Sequence, residues 1–532
     1  MEFKRGLTLS PKREMRPQIL SSEYIMTQKS LPFKYQEEKA SQKFTKYSGV
    51  LPILEFSGKL GLFRFADNHL RVRSGSQGWL DSQIFLSTQL INIVGGDSVS
   101  DIDELESDEG LRTIVGHCEG SLLGKRKVEI YNRFRKGRER FFPSDNALHN
   151  YMNHFHDERE EERRREYVLQ EKAFIPSPNE YTKRLLSFFR YLSSFTQKNR
   201  PVQTATIDVD GVICESSKES AFYTYKKGKG YQPMNAYWHE QGLVLHTEFR
   251  DGNVPSNYKV PEFVKAAFCN VPKEITKRFL RMDSAGYNFD LMEYCDNNGI
   301  GFSISTPLCK NLKSEIRSVK DKEWLDLPFT SEQLLKGHKS EEYSEESFWQ
   351  WCELPYVPDD VRGDKYRYIA VRSRIPEQKE LFDTGEEDQE EKKKTYKKGG
   401  VKYRLRVIVT NQNHMDGETL FHWHNKRCGY SEQVHSIMKN DFAGGQFPSN
   451  KFGVNSFWWI MMVIALNIME LYKGLVLGKN WVKRRLKAIR FHFIYCVGRV
   501  EQRARQIFVH LRHAVFWDKL RTKIQELKWV PI

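Results

Sequence analysis

The sequence predicts an α/β protein, and three observations lead to this class. Between residues 204 and 305, short runs rich in β-branched and aromatic residues alternate with helical patterns. Upstream, residues 47–195 are rich in helix formers, with apolar residues at helical spacing. Hydrophobic residues make up 39% of the 532 residues and aromatic residues 13%, which suffices for a core and excludes a mostly disordered chain.

The central alternation has a definite order: three strands, a helix, a strand, a helix and a strand. Glu240-Gln241-Gly242 joins the second and third strands, which predicts a hairpin, whereas the later strands follow helices, which favours parallel pairing. An antiparallel meander that feeds parallel strands is typical of ribonuclease-H-like folds. The predicted strands are Thr204–Ile213, Tyr231–His239, Leu243–Arg250, Arg278–Asp283 and Ile300–Ser305, and the predicted helices are Pro261–Asn270 and Tyr287–Asp296.

Around this core we predict a basic mobile arm, a mainly helical region, a β-rich insertion and a basic helical C-terminal segment. The insertion is inferred from a strand pattern at Lys365–Arg374 and a charge block at Asp383–Lys398, after which Tyr403–Thr410 returns to the core as a strand. The predicted boundaries are 1–46 for the arm, 47–195 for the helical region, 200–305 and 406–475 for the core, 306–405 for the insertion and 476–532 for the C-terminal segment.

One apolar stretch, Phe457–Leu466, resembles part of a membrane span. A span needs about 20 apolar residues, and Asn467 and Glu470 interrupt this stretch. We therefore predict a buried core helix and no membrane association. A mean hydropathy of −0.64 also argues against a protein with several membrane spans.

The cysteines and the N-terminus indicate a cytoplasmic protein. The eight cysteines are scattered and include no Cys-x-x-Cys pair, which argues against a zinc ribbon or a thioredoxin-type site. A secreted disulfide framework would be denser in a shorter chain. Met1–Arg16 is polar and basic and lacks the apolar stretch of a signal peptide.

The net charge of +15 points to a phosphate-rich partner, either nucleic acid or an anionic membrane surface. This charge is unevenly distributed. Residues 471–532 contain 15 Lys and Arg against 3 Asp and Glu, so this segment carries +12 and the other 470 residues carry about +3. The basic character therefore belongs mainly to the C-terminal region.

Acidic residues at predicted strand ends are the first candidates for a catalytic site. Asp208 and Asp210 lie two residues apart on one strand, so their side chains share a face, and two adjacent carboxylates repel unless a cation or proton separates them. The alternative is an Asx turn at the strand end. Asp283 ends another predicted strand, and the acids would meet at the carboxyl edge of the sheet if the two strands are neighbours.

Glu432 opens a predicted helix at Ser431–Asn440 and shares one helical face with His435 and Lys439. The alternative is an ordinary charged helix surface. Two strand-end aspartates together with a helical glutamate can bind two Mg²⁺ ions, since Mg²⁺ prefers carboxylate oxygens. Two such ions can promote an in-line phosphoryl displacement.

At these residues the sequence resembles the insertion-sequence transposases of the DDE type, and most closely the IS-thirteen-eighty family. The matching strings include IDVDGVICESSKESAFYTYKKGKGYQPMNAYWHEQGLVLHTEFRDGN, RMDSAGYNFDLMEYCDNNGIGFSIS, VIVTN and DFAGGQFPSNKFGVNSFWW, together with the spacing from Glu432 to Lys439. The resemblance covers about residues 50–520. It implies a ribonuclease-H-like core with a β-rich insertion before the third acid.

The resemblance also implies a function and its residues. The family cleaves the ends of its element in a metal-dependent reaction and joins the freed 3′-hydroxyl groups to target DNA. The metal ligands would be Asp210, with Asp208 as the alternative, Asp283 and Glu432. Lys439 fits the family's Glu-x6-Lys spacing, whereas the position four before Glu432 is Cys428, with Arg427 one place earlier.

The implied cofactor is Mg²⁺, with Mn²⁺ as a substitute, and the implied partner is double-stranded DNA from both element ends and target. A homodimer is expected in the active complex, in the cytoplasm of a prokaryote and associated with the nucleoid. We expect the basic C-terminal segment, including Lys483, Arg484 and Arg485, to follow the phosphate backbone, with the helical region at 47–195 reading the terminal repeats.

Two other functions fit parts of the sequence. The string Asp208-Val209-Asp210-Gly211-Val212 is similar to the first motif of haloacid-dehalogenase-type phosphatases, in which Asp208 would be the nucleophile and Asp210 the general acid. A catalytically inactive protein that only binds DNA is the other alternative, although all three acids are present.

Overall fold

The computed structural model describes residues 43–72, 78–123, 140–329, 348–356, 358–375, 394–427, 430–442, 444–503 and 506–531, with only the backbone at 119–123 and 430–432. Most of the predicted basic arm and most of the charge block at Asp383–Lys398 lie outside these residues.

The helices occupy three parts of the chain. They are α1 (Leu51–Lys59), α2 (Leu62–His69), α3 (Asp81–Val94), α4 (Ile102–Ser107), α5 (Glu109–Leu123), α6 (Asp145–Met152), α7 (Glu158–Leu169), α8 (Glu180–Asn199), α9 (Val260–Phe268), α10 (Phe289–Asn297), α11 (Lys310–Ser318), α12 (Gly417–Asn425), α13 (Tyr430–Asn440), α14 (Phe452–Tyr472), α15 (Lys479–Val482), α16 (Leu486–Ile489) and α17 (Ala514–Glu526). Helices α1–α8 occupy the region that the sequence predicts to be helical.

The strands belong to three sheets. They are β1 (Lys43–Thr45), β2 (Thr204–Gly211), β3 (Cys214–Glu215), β4 (Phe222–Tyr223), β5 (Lys229–Tyr231), β6 (Met234–Trp238), β7 (Leu243–Glu248), β8 (Lys277–Met282), β9 (Ile300–Ser305), β10 (Leu325–Asp326), β11 (Trp349–Leu354), β12 (Arg367–Arg374), β13 (Thr395–Lys398), β14 (Val401–Thr410), β15 (Gly498–Arg503) and β16 (Gln506–His510).

The central sheet is large and mixed, so the predicted α/β class is confirmed. Its strand order is β10-β11-β12-β14-β9-β8-β2-β6-β7, with β13 paired to β14. Strands β2, β6 and β7 form an antiparallel meander, and β2, β8 and β9 are parallel. The predicted combination of a meander with parallel strands is therefore present.

The two faces of β2 carry different residues because successive side chains of a strand alternate. Ala205, Ile207 and Val209 are fully buried in a core formed with α9 and α10. Thr206, Asp208 and Asp210 therefore point to the opposite face. That face carries the acids discussed below.

The region predicted as a separate β-rich insertion continues the central sheet. The reason is the length of β14, which pairs along Tyr403–Thr410 with β12 and at Ile408–Thr410 with β9. One strand thus belongs to both regions. The predicted return of the chain to the core at Tyr403–Thr410 is correct, but the boundary at residue 405 cuts through a strand.

The predicted core helix at Phe457–Leu466 lies within α14. Among the described residues, one helical stretch, Phe452–Leu477, is long and apolar enough to cross a membrane, with a mean hydropathy of 1.8, and 78% of it is buried inside the protein. Its polar residue Asn467 bonds both backbone groups of Val244 on β7, the last strand of the sheet, at 2.9 and 2.7 Å. This helix covers a sheet edge that would otherwise expose unpaired backbone groups.

The helical N-terminal region shares its core with α14 and the C-terminal segment. Asn179 caps α8 by accepting a hydrogen bond from the Thr182 amide at 2.9 Å, and the apolar side of α8 is buried. Phe188 on α8, Trp459 on α14 and Ile524 on α17 belong to one apolar cluster. The boundaries at 195 and 476 therefore do not separate independent cores.

The C-terminal segment differs from the predicted run of basic helices. Strands β15 and β16 form a hairpin within it, and β1 pairs with β15, so Lys43–Thr45 is part of a sheet and not of the arm. Ile507 and Val509 are half-buried and alternate with exposed neighbours. This period of two indicates a strand, and the prediction from charge alone overlooked it.

A second difference concerns α7, whose mixed charges predict a solvated helix face. Glu161 and Arg164 are instead buried, one helical turn apart. Arg164 forms ion pairs with Glu161 at 2.8 Å and with Asp251 at 2.7 Å. The pattern of charges did not show which side of the helix meets the sheet.

Candidate active site

Asp210 and Asp283 lie at the carboxyl ends of two neighbouring parallel strands of the central sheet. Strands β2 and β8 are parallel, and their last paired residues are Val209 and Met282. Asp210 is the next residue of β2, and Asp283 directly follows the last residue of β8. Neighbouring strands lie about 4.8 Å apart, so the backbones at these two positions are close. The sheet therefore brings the two backbones close together, and a site shared by the two carboxylates stays a prediction.

Local hydrogen bonds hold each of the two carboxylates in place. Asp210 Oδ1 accepts a hydrogen bond from the Gly211 amide at 2.9 Å, and its side chain is 27% exposed. Asp283 Oδ1 accepts one from the Ala285 amide at 3.0 Å at the start of a short 3₁₀ turn. Each acid thus stays partly open to solvent while its backbone environment fixes its orientation.

Asp208 occupies a different environment from Asp210, although both lie on the same face of β2. Its carboxylate is 1% exposed and binds Arg281 of β8 through two hydrogen bonds, at 2.6 and 2.8 Å. His239 Nδ1 lies 3.5 Å from Asp208 Oδ2. Asp208 and Arg281 are paired positions in the sheet, so this ion pair lies directly below the Asp210–Asp283 level.

Arg281 also connects the acidic strands to the returning chain. Its Nη1 donates to the Trp423 carbonyl on α12 at 2.6 Å, and its guanidinium lies over the Trp423 ring at 5.2 Å. The arginine is 1% exposed. A buried charge pair with several hydrogen bonds is costly to break, because either partner left alone is an uncompensated charge.

Helix α13 crosses the acidic face of the sheet. His435 Nδ1 lies 4.0 Å from Asp210 Oδ2, and Glu432 lies one helical turn before His435 in the backbone. The Glu432 side chain is outside the described residues. The backbone therefore brings the third predicted acid to the same side of the sheet as the first two.

Burial lowers the pKa of His435 to about 4, and the charge of Lys439 contributes in the same direction. The imidazole beside Asp210 is therefore neutral at physiological pH. Lys439 is exposed on α13. Burial raises the pKa of the Cys214 thiol to about 12, and the charge of Lys439 acts in the opposite direction. Lys439 is therefore near Cys214, which follows β2 in the chain.

A buried row of polar side chains connects the site to α14. Trp459 Nε1 donates to Thr247 Oγ1 at 2.8 Å, and Thr247 donates to Asn235 Oδ1 at 2.7 Å. Asn235 is the residue paired with Asp210 across β2 and β6, and its amide contacts the sulfur of Met438 on α13 at 3.8 Å. This row fixes the helix relative to the acidic edge and was not found from the sequence.

The predicted DNA-contacting residues fall into two groups. Lys483 and Arg484 are exposed in the turn between α15 and α16. Arg485 instead pairs with Asp441, whose side chain is 1% exposed, at 2.7 Å and also reaches the Ser436 carbonyl of α13. Arg427 is partly buried just after α12. Burial is the main cause that lowers the pKa of His424, and the charge of Arg427 acts in the same direction.

The donor set at the edge suits a hard divalent cation. Asp210 and Asp283 offer carboxylate oxygens, which Mg²⁺ and Mn²⁺ prefer as ligands. Among the described side chains, no three His, Cys, Asp or Glu residues cluster closely enough to hold a metal ion. A complete site would therefore need the side chain of Glu432.

Comparison with known protein families assigns the chain to a family of transposases. The family model for "Transposase DDE domain group 1" matches residues 37–353 and 392–530, so the chain belongs to this family. Among solved structures, the chain is similar to a piggyBac transposase synaptic complex with hairpin DNA, at 10% identity and a TM-score of 0.38, covering 93% of this chain and 89% of that one. Comparison with curated proteins finds no match.

Proposed function

We propose that this protein cuts DNA at the terminal inverted repeats of its own element and joins the 3′ ends to target DNA. Membership of the DDE transposase family supports this reaction. The observation that carries the site assignment is that Asp210 and Asp283 directly follow the last paired residues of two adjacent parallel strands. The strand order supports a ribonuclease-H-like core, and within the family we propose the IS-thirteen-eighty type.

Asp210, Asp283 and Glu432 are the proposed ligands of two Mg²⁺ ions, for which Mn²⁺ would substitute. Bound in pairs, such ions activate the attacking oxygen and stabilise the leaving oxygen of a phosphoryl transfer. The carboxylates of this chain supply and orient the ligands, and Lys439 would donate to a non-bridging phosphate oxygen.

Asp208 is proposed to position these ligands and not to bind metal. Its bidentate pair with Arg281 fixes the register of β2 against β8 one layer below the edge. The same contact speaks against the phosphatase alternative, in which Asp208 would have to be an accessible nucleophile. Robust magnesium-dependent turnover of small phosphomonoesters would contradict this view.

Double-stranded DNA is the proposed partner. The exposed lysine and arginine at 483 and 484 belong to the segment that carries most of the net charge, and such residues follow the phosphate backbone. Because two element ends must be brought together, we propose a homodimer in the active complex. The proposed location is the prokaryotic cytoplasm, at the nucleoid.

The test is cleavage of a supercoiled donor plasmid that carries the inverted repeats flanking the gene. Wild-type protein with Mg²⁺ is expected to release the element, and Asp210→Ala, Asp283→Ala and Glu432→Gln are expected to abolish release. Asp364→Asn, an exposed acid in a turn away from these residues, is the matched control and should cleave normally. Cleavage retained in Asp210→Ala but lost in a folded Asp208→Ala would contradict the site assignment, and a folded wild type that binds but never cuts would indicate an inactive DNA-binding protein.

A further inference from the structure

A small sheet projects from the acidic edge. Strands β3, β4 and β5 form it in the order β3-β5-β4, and we call residues 214–231 the flap. It begins four residues after Asp210 and ends three residues before β6. The carbonyl of Glu215 lies close to Gly445 in the chain that follows α13, where an added Cβ would approach to 3.1 Å. The flap therefore stands between the strand of the first acid and the helix of the third.

The outer side of the flap carries exposed aromatic rings and lysines. The side chains of Tyr223 and Tyr225 are 64% and 73% exposed. Tyr223 and Lys229 are directly paired in the ladder, and Lys229 Nζ lies 5.7 Å from the Tyr223 ring. Lys226 Nζ lies 5.9 Å from the Tyr225 ring. Residues 221–230 contain three lysines and no acidic residue.

The inner side of the flap is firmly attached to the protein. The guanidinium of Arg164 lies 4.5 Å from the Phe222 ring and donates to the Ser220 carbonyl at 3.3 Å. The Gly252 amide donates to the Gly230 carbonyl at 3.1 Å, and a Cβ at Gly252 would come within 2.6 Å of that oxygen. The buried ion pairs of α7 thus support the flap from below, which explains why Arg164 is buried.

Exposed aromatic rings on a firmly attached sheet fit a partner that has flat apolar faces. Lysines alone would suffice to follow the phosphates of a duplex, whose bases are stacked on one another. Aromatic rings interleaved with lysines fit a strand with unpaired bases, because each base can stack on a ring while the cations meet the phosphates. Such bases occur where a DNA end is cut or opened, and the flap adjoins the acids proposed to cut it.

We propose that the flap binds unpaired nucleotides of the DNA beside the cleavage site, with Tyr223 and Tyr225 stacking on bases and Lys226, Lys227 and Lys229 contacting phosphates. The proposal rests on the function proposed above for its biological setting. The binding chemistry itself can be tested without the element ends.

The experiment measures binding of the full chain to two probes, a fluorescent oligo-dT single strand and a blunt duplex, in an Asp210→Asn background that prevents cutting. Stacking of a base on an aromatic side chain is worth about 1–3 kcal/mol, which corresponds to a change of about 5- to 150-fold in affinity per base. Tyr223→Ala with Tyr225→Ala should therefore weaken oligo-dT binding at least 10-fold and leave duplex binding nearly unchanged. Tyr223→Phe with Tyr225→Phe keeps both rings and should bind like the parent.

The lysines give a second, independent readout. Lys226→Ala with Lys227→Ala should weaken both probes and reduce the slope of log affinity against log salt by about 0.7 per lost phosphate contact on the single strand. Unchanged oligo-dT binding by the double alanine variant of the tyrosines would overturn the proposal, as would an equal loss in the double phenylalanine variant. If the flap variants bind oligo-dT normally while the wild type cuts donor DNA, only the flap proposal fails. If the flap variants lose oligo-dT binding while the wild type never cuts donor DNA, only the proposed function fails.

Discussion

Strands β2 and β8 carry acidic residues at two successive levels, and the surroundings of the acids differ between the lower and the upper level. In the lower layer, Asp208 is 1% exposed and fully engaged by Arg281, which is as deeply buried. In the upper layer, one step towards the carboxyl edge, Asp210 and a second acid, Asp283, each directly follow the last paired residues of the two strands. An arginine opposite an aspartate makes a structural ion pair, whereas an aspartate opposite an aspartate leaves negative charge that a cation must balance.

The largest expected effect lies in the upper layer. Asp210→Asn and Asp283→Asn should each reduce donor cleavage by at least about 10³-fold, since charge stabilisation by a bound metal is worth several kcal/mol of the barrier. Thermal unfolding should change little because removing one of two facing acids relieves repulsion. A quantitative cleavage assay with parallel unfolding curves checks both statements. A marked loss of stability in either variant would remove the distinction between the layers.

The lower layer should show the reverse. Asp208→Ala is expected to lower the free energy of unfolding by about 3–5 kcal/mol, because it leaves Arg281 charged and buried without its partner. Replacing both residues, as in Asp208→Leu with Arg281→Met, should recover most of that loss. Denaturant unfolding of Asp208→Leu, Arg281→Met and the double variant measures the coupling. Additive losses would show that the pair does not act as a unit.

This comparison also shows where prediction from the sequence ends. The two aspartates could be placed on one strand face and at a sheet edge, and Asp283 could be matched to them. Sequence alone could not choose between Asp208 and Asp210, because the choice depends on Arg281, which lies 73 residues away and becomes a neighbour only through the parallel pairing of β2 and β8. Local sequence patterns can predict a strand, but they do not show which strand pairs with it in the folded protein.

The same limit explains the other differences. Helix α7 has charges on all sides, so its pattern could not show that Arg164 packs beneath the flap. The basic composition of the C-terminal segment hid strands β15 and β16, and the alternation at Ile507 and Val509 lies in their burial and not in the sequence, where apolar Phe508 separates them. The sequence predicts a strand at Tyr403–Thr410, but its shared membership of core and insertion follows from pairing on both sides.

Acid should destabilise the protein through buried histidines. Burial lowers the pKa of His246 to about 4, and Arg250 acts in the same direction. Below about pH 6.5 the imidazole of the unfolded chain takes up a proton that the folded chain excludes. The contribution of His246 to the free energy of unfolding is therefore fully present above about pH 6.5 and is lost as the pH falls towards 4. The loss attributable to His246 is about 3 kcal/mol over that range.

His246→Phe removes this titrating group, and Phe263 lies beside it with ring centroids 5.0 Å apart. The variant should therefore show a flatter dependence of unfolding free energy on pH between 6.5 and 4. Urea unfolding at several pH values provides the measurement. An unchanged pH dependence in His246→Phe would contradict the assignment.

The smallest effects concern the exposed basic residues at 483–485, of which Arg485 is paired with the buried carboxylate of Asp441. Lys483→Ala with Arg484→Ala should reduce the slope of log affinity against log salt for duplex DNA by about 2, since each phosphate contact contributes about 0.9. Stability should be unchanged because both side chains are exposed. A full salt series of binding constants is needed to resolve this.

Arg485→Ala is the matched comparison, because Arg485 is paired with the buried Asp441. Its main consequence should be a loss of stability of about 1–3 kcal/mol from a charged hydrogen bond, with little change in the salt slope. If Arg485→Ala instead lowered the slope as much as one exposed lysine does, Arg485 would be a DNA contact and not an anchor for α13.

The central claim is that the Asp210–Asp283 layer, and not Asp208, binds the divalent ions required for cleavage. Its most direct test is a titration of Mn²⁺ into the full protein bound to element-end DNA, in which electron paramagnetic resonance measures the concentration of free Mn²⁺. The titration compares the wild type with Asp210→Asn, Asp283→Asn and Asp208→Asn. We expect Asp210→Asn and Asp283→Asn to remove tight Mn²⁺ binding, whereas Asp208→Asn retains it at a temperature where that variant is folded. Tight binding that survives in Asp210→Asn and Asp283→Asn but disappears in folded Asp208→Asn would contradict it.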